Sequence, residues 1–139
     1  MRIPRSIVLI LIALFIAGCG GSGSSAKSPA EHPEATPAIL PAAQAHAYLG
    51  DHPEALILDV REPAEWDDDV GHIEGAKQIP LGLLAGRLGE IEDWKDKPVI
   101  VVSRGGERSQ AAAETLHGGE FKLVIILDGG MKAWRAARY

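Results

Sequence analysis

The 139-residue chain has one cysteine, Cys19, so it cannot form an internal disulfide, and cysteine usage says nothing about its redox compartment. It has no basic excess: 14 Lys and Arg stand against 19 Asp and Glu, a formal charge of −5. Nucleic acid is therefore not an expected main partner, since the electrostatic footprint for it is missing. No apolar run approaches the roughly 20 residues that cross a bilayer as a helix. The longest opens the chain, from Ile7 to Ala17. There is no internal repeat and no Gly-x-Ser-x-Gly nucleophile elbow. Hydrophobic residues make up 46% and charged residues 24%, which suits one globular domain of ordinary size.

What is present divides the chain into three parts. Arg2 and Arg5 precede the apolar run, which has the length of a secretory signal core. Its ending, Ile16-Ala17-Gly18-Cys19, resembles the lipobox of bacterial lipoproteins. That resemblance implies a signal peptide over 1–18, cleavage before Cys19 and lipidation of its thiol. Several acyl chains hold far better than one, each buried methylene adding about 0.8 kcal/mol. Loss of 1–18 leaves 12 basic against 19 acidic side chains, so the lipid rather than the protein surface would hold the chain at an anionic membrane. Gly20 is not the aspartate that signals inner-membrane retention. An envelope location is expected, at the outer membrane facing the periplasm if the source has two membranes. Residues 19–37 carry glycine and serine first, then Pro29, Pro33 and Pro37, and read as the lipidated cysteine followed by a flexible tether. The globular domain is expected over 38–139.

Within that domain, Pro41 opens a helix that Gly50 should stop. ALILDV (55–60), PVIVV (98–102) and LVIIL (123–127) are short continuous apolar runs, read as buried strands. AKQIP (76–80) reads as a brief strand. EPAEWDDD (62–69) reads as a short helix with a solvated acidic end, and Asp59 and Arg61 as strand-end hydrogen bonding. Leu81, Leu84, Leu88 and Ile91 recur at helical spacing, ERSQAAAETL (107–116) is a helix, and MKAWRAAR (131–138) a last one. Apolar strands alternating with helices predict an α/β fold: a mostly parallel sheet covered on both faces, with ligands beyond the carboxyl ends of the strands.

One loop stands in such a place. VVSRGGERSQ (101–110) runs from the end of a strand into a helix. Gly105 and Gly106 permit backbone angles that turn successive N–H groups inward. The helix start adds unpaired N–H groups and its positive dipole end. Arg104 and Arg108 supply charge, Arg108 with a fork suited to an oxyanion, and Glu107 subtracts one. Ser103, Arg104, Gly105, Gly106, Glu107, Arg108 and Ser109 together form a candidate cradle for sulfate, thiosulfate or phosphate. The plainer reading, a tight turn with solvated arginines, is equally open on local pattern. Consecutive Asp67, Asp68 and Asp69 do not share a face as metal ligands would, so no metal and no cofactor is expected.

Four ordered blocks carry a resemblance that spans about residues 38–137: LILDVREPAEW (56–66), GHIEGAKQIP (71–80), VIVVSRGGERS (99–109) and LDGGMKAW (127–134). Together they resemble a single rhodanese domain. The resemblance implies a three-layer α/β fold and membership of a family that transfers sulfane sulfur from donors such as thiosulfate through a cysteine persulfide in the active loop. Arg108 and Ser109 match that loop's closing Arg-Ser, but Ser103 stands at the cysteine position. A cysteine thiol ionises near pH 8.5 and lower beside positive charge. A serine hydroxyl is far less acidic, requires a neighbouring base, and cannot hold sulfur as a persulfide. The expectation is a non-catalytic module binding a small anion or a protein partner, and contacting the membrane through its lipid. Two alternatives remain: sulfur transfer through an external thiol, and a hydrolase or phosphatase using Ser103 with a base drawn from His46, His52, His72 or His117. His72, in the Gly-His-Ile block, is expected to be structural.

Overall fold

A computed structural model describes residues 36–139. Cys19, the apolar run and most of the expected tether lie outside the described residues. Five strands form one sheet: β1 (Ala38–Leu40), β2 (Leu56–Asp59), β3 (Lys77–Gln78), β4 (Pro98–Val102) and β5 (Leu123–Leu127). Their order is β1-β5-β4-β2-β3 and every pair is parallel. β4 is central, in register with β2 through Leu56↔Val99 and with β5 through Pro98↔Leu123.

The continuous apolar runs are explained by what covers each face. Side chains alternate across a strand, so β4 sends Val99 and Val101 into one core and Ile100 and Val102 into the other. The first core includes Leu84 of α2 (Leu81–Arg87) and Ala112, Ala113 and Leu116 of α3 (Glu107–Gly118). The second takes Ala42 and Ala45 of α1 (Ala42–Asp51), and Met131 and Trp134 of α4 (Gly130–Ala136). The result is a helix–sheet–helix sandwich, and a strand buried on both faces has no polar face to show in the sequence.

Several expectations are corrected in detail. The strand at Ala38–Leu40 is one the sequence reading did not find; three residues with an exposed Ile39 leave no pattern to see. Gly50 does not stop α1, which runs to Asp51 and closes with the His52 N–H on the Tyr48 carbonyl. The segment 62–69 forms only a single 3-10 turn at Pro63–Glu65. A reciprocal capping box between Glu62 and Glu65 starts that turn. The helix from Leu81 tightens after Arg87 into 3-10 geometry over Leu88–Trp94, with a break at Ile91 (φ −127°, ψ 15°). The apolar spacing still served its purpose: Leu84 and Ile91 are fully buried, and Leu81 and Leu88 pack on the same core. No helix among the described residues is long and apolar enough to cross a membrane.

Candidate functional site: the loop after the central strand

Because β4 is central, the loop that leaves it emerges between the carboxyl ends of β2 and β5. Gly106 takes φ +105°, which lets the chain reverse into α3 directly after the loop. Gly130 brings the β5 end against it. A Cβ on Gly130 would lie 2.2 Å from the Ser103 carbonyl oxygen, so only glycine permits this approach. That carbonyl accepts the Met131 N–H at 2.9 Å, and the Arg104 carbonyl accepts the Lys132 N–H at 3.1 Å. The loop is thus held on one side by the backbone of α4.

On its other side, the β2–β3 connection holds it through side chains. Arg61, read from the sequence as an ordinary strand-end residue, is a buried anchor with no solvent exposure. Its Nε and NH2 donate to the buried Asp59 carboxylate at 2.7–3.0 Å, its NH1 to the Glu65 carbonyl at 2.9 Å and its NH2 to the Gly71 carbonyl at 2.8 Å. Two carbonyls ten and four residues away are thereby fixed in place. The segment so positioned presents Glu65, Asp68 and Asp69 to the loop. Glu65 takes the Arg108 fork bidentately, at 2.6 and 2.7 Å. Arg104 donates to Asp68, and to Asp69 at 3.2 Å. The acidic run is therefore no simple solvated end: Asp68 is only 17% exposed and ion-paired, while Asp69 stays at the surface. Rounding of the chain over 67–70 brings the two carboxylates to one guanidinium, which helical geometry would not. The Arg108 hydrogen bonds hold the Glu65 carboxyl at about 2, well below the usual range, against the opposing effect of burial.

Ser103 is fully buried. Its Oγ accepts the Gly106 N–H at 3.0 Å, a bond that closes the loop on itself just before α3. Among the described residues, no histidine or carboxylate hydrogen-bonds to this hydroxyl. His52 pairs with Glu54, His72 donates its Nδ1–H to the Trp66 carbonyl and stacks on the Trp66 ring, and His46 stacks on Tyr139. His117 sits in the last turn of α3, the end away from the loop. Ser109, buried in the first turn, bridges α3 to β4 through its hydroxyl and the Val101 carbonyl at 3.4 Å. The N–H groups of Arg104, Gly105, Glu107 and Arg108 donate to no acceptor within the described protein. The loop can thus offer backbone donors to a ligand, while both its arginines are engaged by carboxylates. Among the described residues there is no group of three or more His, Cys, Asp or Glu placed to hold a metal ion.

Of the residues expected in one cradle, Ser103 to Gly106 form the loop, and Glu107, Arg108 and Ser109 lie in the first turn of α3. The sequence reading missed Glu65 and Asp68, whose pairing across 43 and 36 residues leaves no local signal.

The rhodanese-like domain profile matches residues 41–137, and the chain belongs to that family. The protein YqhL of Bacillus subtilis is 42% identical over 81 residues, 58% of this chain and 61% of that protein. A sulfurtransferase of Allochromatium vinosum is 37% identical over 86 residues, 62% of this chain and 77% of its own. Among solved structures, a rhodanese-related protein of Thermoplasma volcanium superposes with a TM-score of 0.63 at 29% identity, covering 73% of this chain and 94% of that one. The chain spans less than two thirds of the length of YqhL, and 56% of YibN of Escherichia coli.

Proposed function

We propose that this chain is a rhodanese-like domain used to bind rather than to carry sulfur, held at a bacterial envelope membrane through lipidated Cys19. Its ligand is a small anion seated on the loop amides, or a protein group that presents equivalent acceptors. The observation that carries the reading is Ser103: the residue at the position that the resemblance gives to the family's cysteine is a buried hydroxyl that accepts the Gly106 N–H within the loop. The hydrolase reading finds no support in such a group, which lacks both exposure and a neighbouring base. A second reading, sulfur transfer with an external thiol, draws on the 37% identical relative named as a sulfurtransferase.

The test compares the full chain, purified in neutral detergent, with Ser103→Cys, using thiosulfate as donor and cyanide as acceptor. The expected result is no thiocyanate from the natural chain and measurable persulfide on the variant, its thiolate displacing sulfite from thiosulfate. Turnover by the natural chain that depends on an added small thiol would favour the second reading. Turnover without one would refute the missing-nucleophile argument.

A further inference from the structure

Arg61, Arg104 and Arg108 each hold a carboxylate, as Arg87 holds Glu90. Arg135 of α4 holds no side-chain carboxylate among the described residues; its NH1 reaches only the Tyr139 carbonyl oxygen, at 3.4 Å. It lines a cavity of about 370 Å³ that none of residues 103–109 lines. The other walls are His46 of α1, the segment His72 to Glu74, Trp134 and Tyr139. A volume of this order suits a small molecule.

The walls themselves point to a ligand. Trp134 is only 5% exposed, and a buried indole N–H ordinarily finds an acceptor. Trp94 does so, donating its Nε1–H to the Glu54 carbonyl at 3.0 Å. The Trp134 N–H has no acceptor among the described residues. No fully enclosed side-chain polar atom there lacks a partner, so this N–H is not enclosed, and it opens on the cavity that the residue lines. The surrounding rings are held in place. His46 stacks on Tyr139 at 4.0 Å with Trp134 tilted against both, and His72 stacks on Trp66. Glu74 lines the same cavity and, like Arg135, has no side-chain ion-pair partner among the described residues. One guanidinium and one carboxylate, both unspent, therefore stand beside aromatic walls and an unpaired donor.

We propose that this cavity binds a small zwitterion carrying an aromatic ring, of the class of an aromatic amino acid. The ligand carboxylate accepts from the Trp134 N–H and the Arg135 guanidinium, a charge-assisted contact. The ligand ammonium is balanced by Glu74, and its ring packs against the His46 and Tyr139 rings. A bare anion would meet Glu74 uncompensated, and a bare cation would meet Arg135. The site is separate from the loop after β4 and does not depend on what Ser103 does.

The experiment titrates the full chain in neutral detergent with phenylalanine, and with hydrocinnamate, phenethylamine and glycine, which lack the ammonium, the carboxylate and the ring in turn. The readout is the indole N–H resonance of Trp134, with the amides of residues 72–74 and 103–108. Phenylalanine should shift the Trp134 and 72–74 signals saturably, and bind more tightly than each of the other probes. Arg135→Gln and Glu74→Gln, both at exposed positions, should each weaken it about threefold to tenfold. Lys132→Gln, which removes a charge from the same helix outside the cavity, should not. Arg135→Gln should also weaken hydrocinnamate while sparing phenethylamine. The amide spectrum of each variant reports that it is folded. No saturable shift at Trp134, hydrocinnamate binding as tightly as phenylalanine, or equal losses in Lys132→Gln and Arg135→Gln would each overturn the proposal. Shifts confined to residues 103–108 would overturn it in favour of the loop.

Discussion

Replacing Asp59 with alanine leaves the Arg61 guanidinium, fully buried, without its closest counter-charge and without the acceptor of its Nε and of one NH2 bond; the Asp68 carboxylate remains only as a longer pair at 3.7 Å from NH1. The two carbonyls of Glu65 and Gly71 remain, at 2.9 and 2.8 Å, but they carry no charge. Breaking a buried pair from one side costs about 3–5 kcal/mol, because the surviving charge is uncompensated. A domain of about 100 residues unfolds with an entropy near 0.2 kcal/mol/K, so the melting temperature should fall by about 15–25 °C. That is a large share of the roughly 5–15 kcal/mol such a domain possesses. The loss should also loosen the segment carrying Glu65 and Asp68, since Arg61 fixes the carbonyls at either end of it. The check is calorimetric melting of Asp59→Ala, Arg61→Met and the double variant Asp59→Leu/Arg61→Met. The double variant should recover most of the loss, because apolar groups of similar volume strand no charge. A cost under about 1 kcal/mol for Asp59→Ala, or a double variant worse than either single one, would refute the claim that charge compensation governs this site.

Further outcomes test other contacts. Gly130→Ala places a Cβ against the Ser103 carbonyl at a residue with φ +56°, and should cost about 3 kcal/mol or more; thermal melting together with faster hydrogen exchange of the Met131 amide, which donates to that carbonyl, would show it. Glu65 has a folded pKa of about 2 against an unfolded value near 4.5, so its contribution is present above about pH 4.5 and is lost as pH falls toward 2. Denaturation of Glu65→Gln should accordingly depend less on pH across that window, and an unchanged slope would contradict the pairing. In Ser103→Cys the loop amides and the α3 dipole should lower the thiol below its ordinary range, read from the pH dependence of iodoacetamide alkylation; a titration at or above about 8.5 would contradict this electrostatic picture. Radioactive palmitate should label the full chain in a bacterial host and fail to label Cys19→Ala.

Much was legible in the amino-acid order because local rules sufficed. Val99 to Val102 and Val124 to Leu127 are apolar at every position, as a strand covered on both faces requires, and both proved to be interior parallel strands. Gly105 and Gly106 between a strand and a helix marked the loop. Tertiary structure alone decided what the charges do. Arg104 and Arg108 read equally well as solvated or ligand-facing, and Arg61 as ordinary strand-end hydrogen bonding, because charge in a sequence carries no partner. Folding brought Asp59, Asp68, Asp69 and Glu65 to them from the end of β2 and the connection that follows it, converting apparent cationic donors into closed ion pairs. Patterning of apolar residues is a property of neighbours along the chain and survives in one dimension. Electrostatic compensation is a property of distance in space, and chain separations of up to 43 residues carry no trace of it.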